Sequence, residues 1–185
     1  YLSLTQVAAF LDGTLSPVPE RHVAITIDDG WDSGFHIARP LLKKYGFKAV
    51  LMLVPSSQAW KRRISWSAAR QMEAEGFEFG SHSQEHSKLF RPNKRESPAA
   101  YKERLRKELE NSRQTMEREL GHPVTTLAYP YGGFNPVVES AARKAGYRLI
   151  FTVTRGAVQK GDEPLRLKRI MLAGQPDLKL FQRFL

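Results

Sequence analysis

Val23, Ile25 and Ile27 alternate with Ala24 and Thr26, and the run then breaks into Asp28, Asp29 and Gly30. Alternation with a period of two reads as a strand, and one that ends in two acids and a glycine carries charge to its carboxyl end. Residues 48–54 are almost wholly apolar, the pattern of a strand covered on both faces. Shorter runs predict further strands over 77–80, 126–129, 149–153 and 167–172. Between strands the period changes. Leu105, Leu109, Ser112, Met116 and Leu120 recur at three- and four-residue steps, an amphipathic helix stopped by Gly121. Further helices are predicted over 4–11, from beyond Trp31 to about Tyr45 with a kink at Pro40, and from Ser65 or Ser67 to Glu75. Two more run from Asn135 to Gly146 and over 177–185.

Strands alternating with helices, without a repeat or linker, predict one α/β domain with a parallel sheet, either a barrel or an open sheet. In both, the functional site belongs at the carboxyl ends of the strands. Asp28, Asp29, His82 and Tyr131 each fall just after a predicted strand, so one rim can collect them.

Composition narrows the chemistry. At 41% hydrophobic and 26% charged residues, the chain of 185 is globular in character. It has no cysteine, so any metal must be held by nitrogen and oxygen ligands. The longest apolar run, 49–54, is too short to span a bilayer. The chain opens at Tyr1 without a methionine or signal-like stretch, which reads as a fragment of a longer precursor. A net charge of +10 biases partners toward polyanions. Over 102–118 Lys and Arg alternate with Glu, as on a solvated helix face. Trp60-Lys-Arg-Arg-Ile-Ser-Trp66 differs, with three cations between two tryptophans and no acid. It is either an exposed loop with one Trp folded beneath it or a contact for an anionic surface or sugar. Nucleic acid is not expected as a partner, because the basic residues are dispersed and form no recognition motif.

Two ionised carboxylates side by side repel, and burying them is costly unless a cation or a shared proton compensates. His82-Ser-Gln-Glu-His86 offers two imidazoles about one turn apart. With one carboxylate they make three protein ligands and leave a position open, the arrangement of a catalytic site. Such a set suits zinc, cobalt, nickel or ferrous iron and does not choose among them. A metal-dependent hydrolase is the expectation. Trp31 either lines the groove, stacking on a sugar, or is a core aromatic under the first loop.

Thr26-Ile-Asp-Asp-Gly30, His82-Ser-Gln-Glu-His86 and Ala128-Tyr-Pro-Tyr-Gly132, in that order, resemble the motifs of polysaccharide deacetylases, the NodB-homology or carbohydrate esterase family 4 fold. The similarity extends from about His22 to Leu172. Within the family it is greatest to the poly-β-1,6-N-acetylglucosamine N-deacetylases of biofilm systems. The resemblance implies a single-domain distorted (β/α) barrel of about seven parallel strands. It implies one divalent cation, zinc first, with nickel, cobalt or iron as alternatives. Asp29, His82 and His86 would hold that cation. Asp28 would be the general base, and the Tyr131 backbone N–H would face the oxyanion. The implied substrate is an N-acetylglucosamine polysaccharide, with chitin oligomers or peptidoglycan as alternatives. A catalytically weak carbohydrate-binding domain is the remaining option. A secreted or cell-surface monomer is expected, its basic surface, including Lys61 to Arg63, facing an anionic membrane or wall polymer.

Three departures stand out. Ala128 occupies the position where many members carry an Arg that holds the base. The Asp-rich motif expected near 151–155 is absent. No histidine follows His122, so the Leu-x-His motif that supplies the catalytic acid is missing, and 167–172 lies where it would be expected. In the biofilm branch the equivalent histidine belongs to an N-terminal strand, which this chain would have lost before Tyr1. His22, His36 and His122 are the fallback candidates for the acid, with ordinary surface roles the expectation for all three.

Overall fold

The computed structural model describes residues 1–17, 22–57 and 61–172. Six parallel strands, β1 (Thr26–Ile27), β2 (Val50–Leu53), β3 (Glu78–Ser81), β4 (Thr126–Ala128), β5 (Leu149–Arg155) and β6 (Leu167–Arg169), pair in chain order. The helices are α1 (Leu4–Asp12), α2 (Arg39–Lys44), α3 (Trp66–Ala74), α4 (Pro98–Arg106), α5 (Ser112–Leu120) and α6 (Pro136–Lys144). Ser65 and Asn135 cap α3 and α6 through their side chains, and Gly121 closes α5 in the left-handed conformation.

Laid flat, six strands would separate β1 from β6 by roughly 24 Å. Instead Arg169 on β6 reaches the Asp28 carboxylate, just beyond β1, at 2.8 Å and the Thr26 hydroxyl on β1 at 3.0 Å. The sheet is therefore curled into an incomplete barrel whose two edges are joined by a side chain. The expectation of about seven strands is corrected to six among the described residues, with this seam standing where the ladder stops.

Period two on β2 explains its unbroken apolar run. Leu51 and Leu53 face the outer helices, while Val50 and Met52 face the interior with Leu149, Phe151 and Leu167. That interior is filled by α1, which inserts Val7 and Leu11. Each such side chain contributes roughly 1.5–3 kcal/mol by leaving water. A capping box between Ser3 and Gln6 starts α1, and the Glu78 carboxylate accepts the Leu4 N–H at 3.0 Å.

Two helices depart from the sequence reading. The segment after Trp31 begins as a π-helical turn (Gly34–Ala38) and tightens into α2 at Arg39. Pro40 thus sits in a first α-turn, where its missing N–H costs nothing, and marks a change of pitch in place of the expected kink. The long helix around Leu105 also contains a π-helical turn, Lys107–Asn111, between α4 and α5. The helix expected over 177–185 lies outside the described residues, as does Trp60.

Candidate metal centre and active site

Three ligand atoms converge at the carboxyl ends of β1 and β3. Asp29 Oδ1 lies 3.5 Å from His82 Nε2 and 3.3 Å from His86 Nε2, and the two imidazole nitrogens are 3.2 Å apart. Tetrahedral coordination at ~2.0–2.1 Å places ligand atoms about 3.3–3.4 Å from one another, so the donor set fits a small divalent cation. Among the described residues this is the one cluster of three such groups. His82 is buried, and its Nδ1–H donates to the Ala128 carbonyl at 2.8 Å. A carbonyl only accepts, so this bond fixes the tautomer that turns the Nε2 lone pair toward Asp29 and His86. Burial lowers the His82 pKa despite the nearby carboxylates, which keeps the ring neutral and fit to ligate.

The adjacent acids have separate surroundings. Asp29 bends back through a left-handed backbone (φ 74°), and its Oδ2 accepts the Trp31 indole N–H at 3.3 Å. Asp28 instead meets Arg169 in a two-pronged pair, Nη1–Oδ1 and Nη2–Oδ2, each 2.8 Å. Arg169 is anchored in turn by donating Nε–H to the Thr152 carbonyl at 2.7 Å. Burial would raise the Asp28 pKa, but the Arg169 bonds and charge, with both imidazoles, bring it below the ordinary carboxylate value. One carboxylate is committed to the cation site. The other is held ionised beside it.

The loop between the histidines is supported from outside. The π-helical turn after α4 presents the Glu108 carbonyl to the Gln84 N–H at 2.9 Å, and its carboxylate accepts the Glu85 N–H at 2.9 Å. Ser83 (φ 62°) and His86 (φ 55°) both lie in the left-handed region, which only a firmly held loop sustains. Across the site Tyr131 (φ 59°) is 56% exposed, with its ring edge-on to His86 at 4.8 Å. Gly132 beside it is also left-handed, and a methyl there would collide with Val153, so this turn demands glycine.

Sequence reasoning missed Arg169 and Glu108. Arg169 lies in the 167–172 stretch read as a vacant acid motif, and it supplies the arginine missing at Ala128. Its signal was a cation at the end of a short strand, LKR. Glu108 carried none, since a π-turn breaks the helical period. Trp31 is not a core aromatic. It is 44% exposed, with the Arg63 guanidinium 3.6 Å from its ring and Arg63 Nη1 donating to the Asp29 carbonyl at 2.6 Å. Of the other histidines, His22 packs on Phe10 ahead of β1, and His122 pairs with Glu73 at 2.6 Å ahead of β4. Both stand at the amino ends of the strands, and His36 lies on the outer helical segment against Phe35.

A family model described as polysaccharide deacetylase matches residues 16–150. The chain belongs to the polysaccharide deacetylase family. The chain is 28% identical over 176 residues to YxkH of Bacillus subtilis, a protein named as a polysaccharide deacetylase, covering 94% of this chain and 60% of that protein. It is 26% identical over 172 residues to a poly-β-1,6-N-acetyl-D-glucosamine N-deacetylase of Staphylococcus aureus, covering 90% and 59%. The chain therefore spans about three-fifths of the length of these curated relatives. A de-N-acetylase structure from Aggregatibacter actinomycetemcomitans superposes with a TM-score of 0.89 at 24% identity, covering 100% of this chain and 82% of that one. The curled parallel sheet is thus the deacetylase barrel of this family.

Proposed function

We propose that the domain is a metal-dependent N-deacetylase of an N-acetylglucosamine polymer, with poly-β-1,6-N-acetylglucosamine as its substrate, working at the cell surface or outside the cell. The observation that carries this is the divided carboxylate pair, Asp29 on the His82/His86 cluster and Asp28 on Arg169. A divalent cation held by Asp29, His82 and His86 would acidify a water molecule and polarise an acetyl carbonyl. Asp28, oriented by Arg169, takes the proton from that water as it attacks the carbonyl carbon. The Tyr131 backbone N–H donates to the oxygen that gains charge. The amide C–N bond then breaks, releasing acetate and leaving an amine that must take up a proton. Among the described residues no histidine besides the two ligands stands at the carboxyl ends of the strands, so slow turnover is expected. Trp31 and Tyr131, both exposed on the rim, offer rings for stacking on sugars.

The name of the Staphylococcus aureus relative favours the β-1,6-linked polymer. Acetate release from defined poly-β-1,6-N-acetylglucosamine and chitin oligomers, with zinc, nickel, cobalt or ferrous ion returned to stripped protein, tests both halves. The expected result is metal-restored release from the β-1,6 oligomer. Release from chitin alone would move the substrate, and equal release by stripped protein would overturn the metal centre.

A further inference from the structure

The helical segment between β1 and β2 is apolar on two sides. Phe35 and Leu42 pack into the core with Leu51, Ile64 and Phe79. Ile37, Leu41 and Tyr45, spaced by four, form a second stripe that faces solvent, with exposures of 65%, 55% and 64%. Phe47 extends it past the end of α2. A surface helix ordinarily has one apolar stripe and buries it, so a second stripe left in water marks a contact surface. From Ile37 to Tyr45 it is roughly 12 Å long at helical rise.

Charge selects the occupant. Residues 33–72 contain eight Lys and Arg and not one Asp or Glu. Arg39 and Lys43 are paired with Glu75, whereas Lys44 and Lys48 have no acidic partner among the described residues. Lys44 Nζ lies 5.4 Å from the Tyr45 ring centroid, and Lys48 stands over Phe77 just beyond. A second copy of the chain would set these lysines against their like. An anionic bilayer takes both features at once, because lysine stems lie along apolar surface while their ammonium groups reach lipid phosphates. We infer that this face rests on an anionic lipid bilayer, with Ile37, Leu41 and Tyr45 at the acyl boundary and Lys44 and Lys48 among the headgroups. No helix among the described residues is long and apolar enough to cross a membrane, so the contact is interfacial.

Sedimentation of the 185-residue chain with vesicles tests this without any turnover. Vesicles of phosphatidylcholine mixed with phosphatidylglycerol should carry the protein down, phosphatidylcholine alone should not, and rising salt should release it. The triple variant Ile37→Ser, Leu41→Ser, Tyr45→Ser should bind roughly tenfold more weakly or worse, with unchanged thermal unfolding and unchanged acetate release from soluble oligomers. The chain lacks cysteine, so Leu41→Cys accepts one polarity-sensitive label, whose emission should shift to the blue on anionic vesicles. Wild-type binding by the triple variant, or no binding by the parent, would overturn the inference. So would a dimer that the triple variant dissociates, which would assign the stripe to self-association.

Discussion

The two ends of the barrel treat the left-handed backbone in opposite ways. Where α2, α3, α5 and α6 turn into the next strand, at the amino end, the left-handed position after each helix is a glycine, Gly121 after α5 being typical. At the carboxyl end Gly30 and Gly132 are joined in the left-handed region by four residues that carry side chains, Asp29, Ser83, His86 and Tyr131. A side chain in that region costs about 1–3 kcal/mol. The amino end avoids the cost because its turns need no side chain. At the carboxyl end three of the four side chains belong to the site, so the strain is kept there and offset by Glu108, Arg63 and the ladder beneath.

The comparison breaks most sharply at the acids. Asp28→Asn should lower acetate release by ~10²–10⁴-fold with bound metal intact. His82→Ala should lose the metal as well, and metal analysis of the two purified variants separates base from ligand. Next come the groups that hold the site from behind. Arg169→Met and Glu108→Ala should each cost about 10–100-fold, as removal of an outer support does. Arg169→Met should act through kcat with metal retained, whereas Glu108→Ala should weaken metal affinity. Arg169→Lys should recover only part of the rate, since an ammonium cannot make the two-pronged contact.

Smaller effects sharpen the same contrast. Gly121→Ala, in open space but left-handed, should destabilise by about 1 kcal/mol in denaturant titration. Ser83→Gly should stabilise by a similar ~1 kcal/mol, because it relaxes a left-handed residue and removes a buried hydroxyl that has no partner. Smallest is the exposed His122. Its hydrogen bond to Glu73, foremost, raises its pKa. A group with a raised folded pKa stabilises fully below its unfolded value, and that contribution is lost as pH rises through the folded one. The melting temperature should therefore drift down from about pH 6.5 upward, by less than about 1 kcal/mol of stability, and His122→Asn should flatten the drift.

What could be read from the chain was local. β2 was legible because both of its faces are apolar, α3 and α6 because Ser65 and Asn135 announce their starts, and the Asp28-Asp29 and His82/His86 sets because their spacing is short. The parts that escaped depend on contacts distant in sequence or on a broken period. Arg169 acquires its meaning only when β6 curls round to β1. Glu108 does so only because a π-turn frees its carbonyl. Trp31 was left between groove and core, since nothing in its neighbours reveals that Arg63 lies over the ring. The solvent-facing stripe on α2 resembled ordinary helix hydrophobicity until the inward face was seen to be occupied by Phe35 and Leu42.

The seam between Asp28 and Arg169 joins positions 141 residues apart. Asp29, His82 and His86 all lie in the first half of the chain, but the groups that hold the two histidines, Glu108 and the Ala128 carbonyl, lie in the second, so the cation pocket takes its shape only once β4 is in place. The Asp28 carboxylate gains its partner later still, when β6 arrives. During synthesis from the amino end, the groups around His82 and His86 would be in place before Arg169 reaches Asp28. A chain lacking β6 would leave the Asp28 carboxylate without its two-pronged partner, so Arg169 ties the state of that carboxylate to the closing of the sheet.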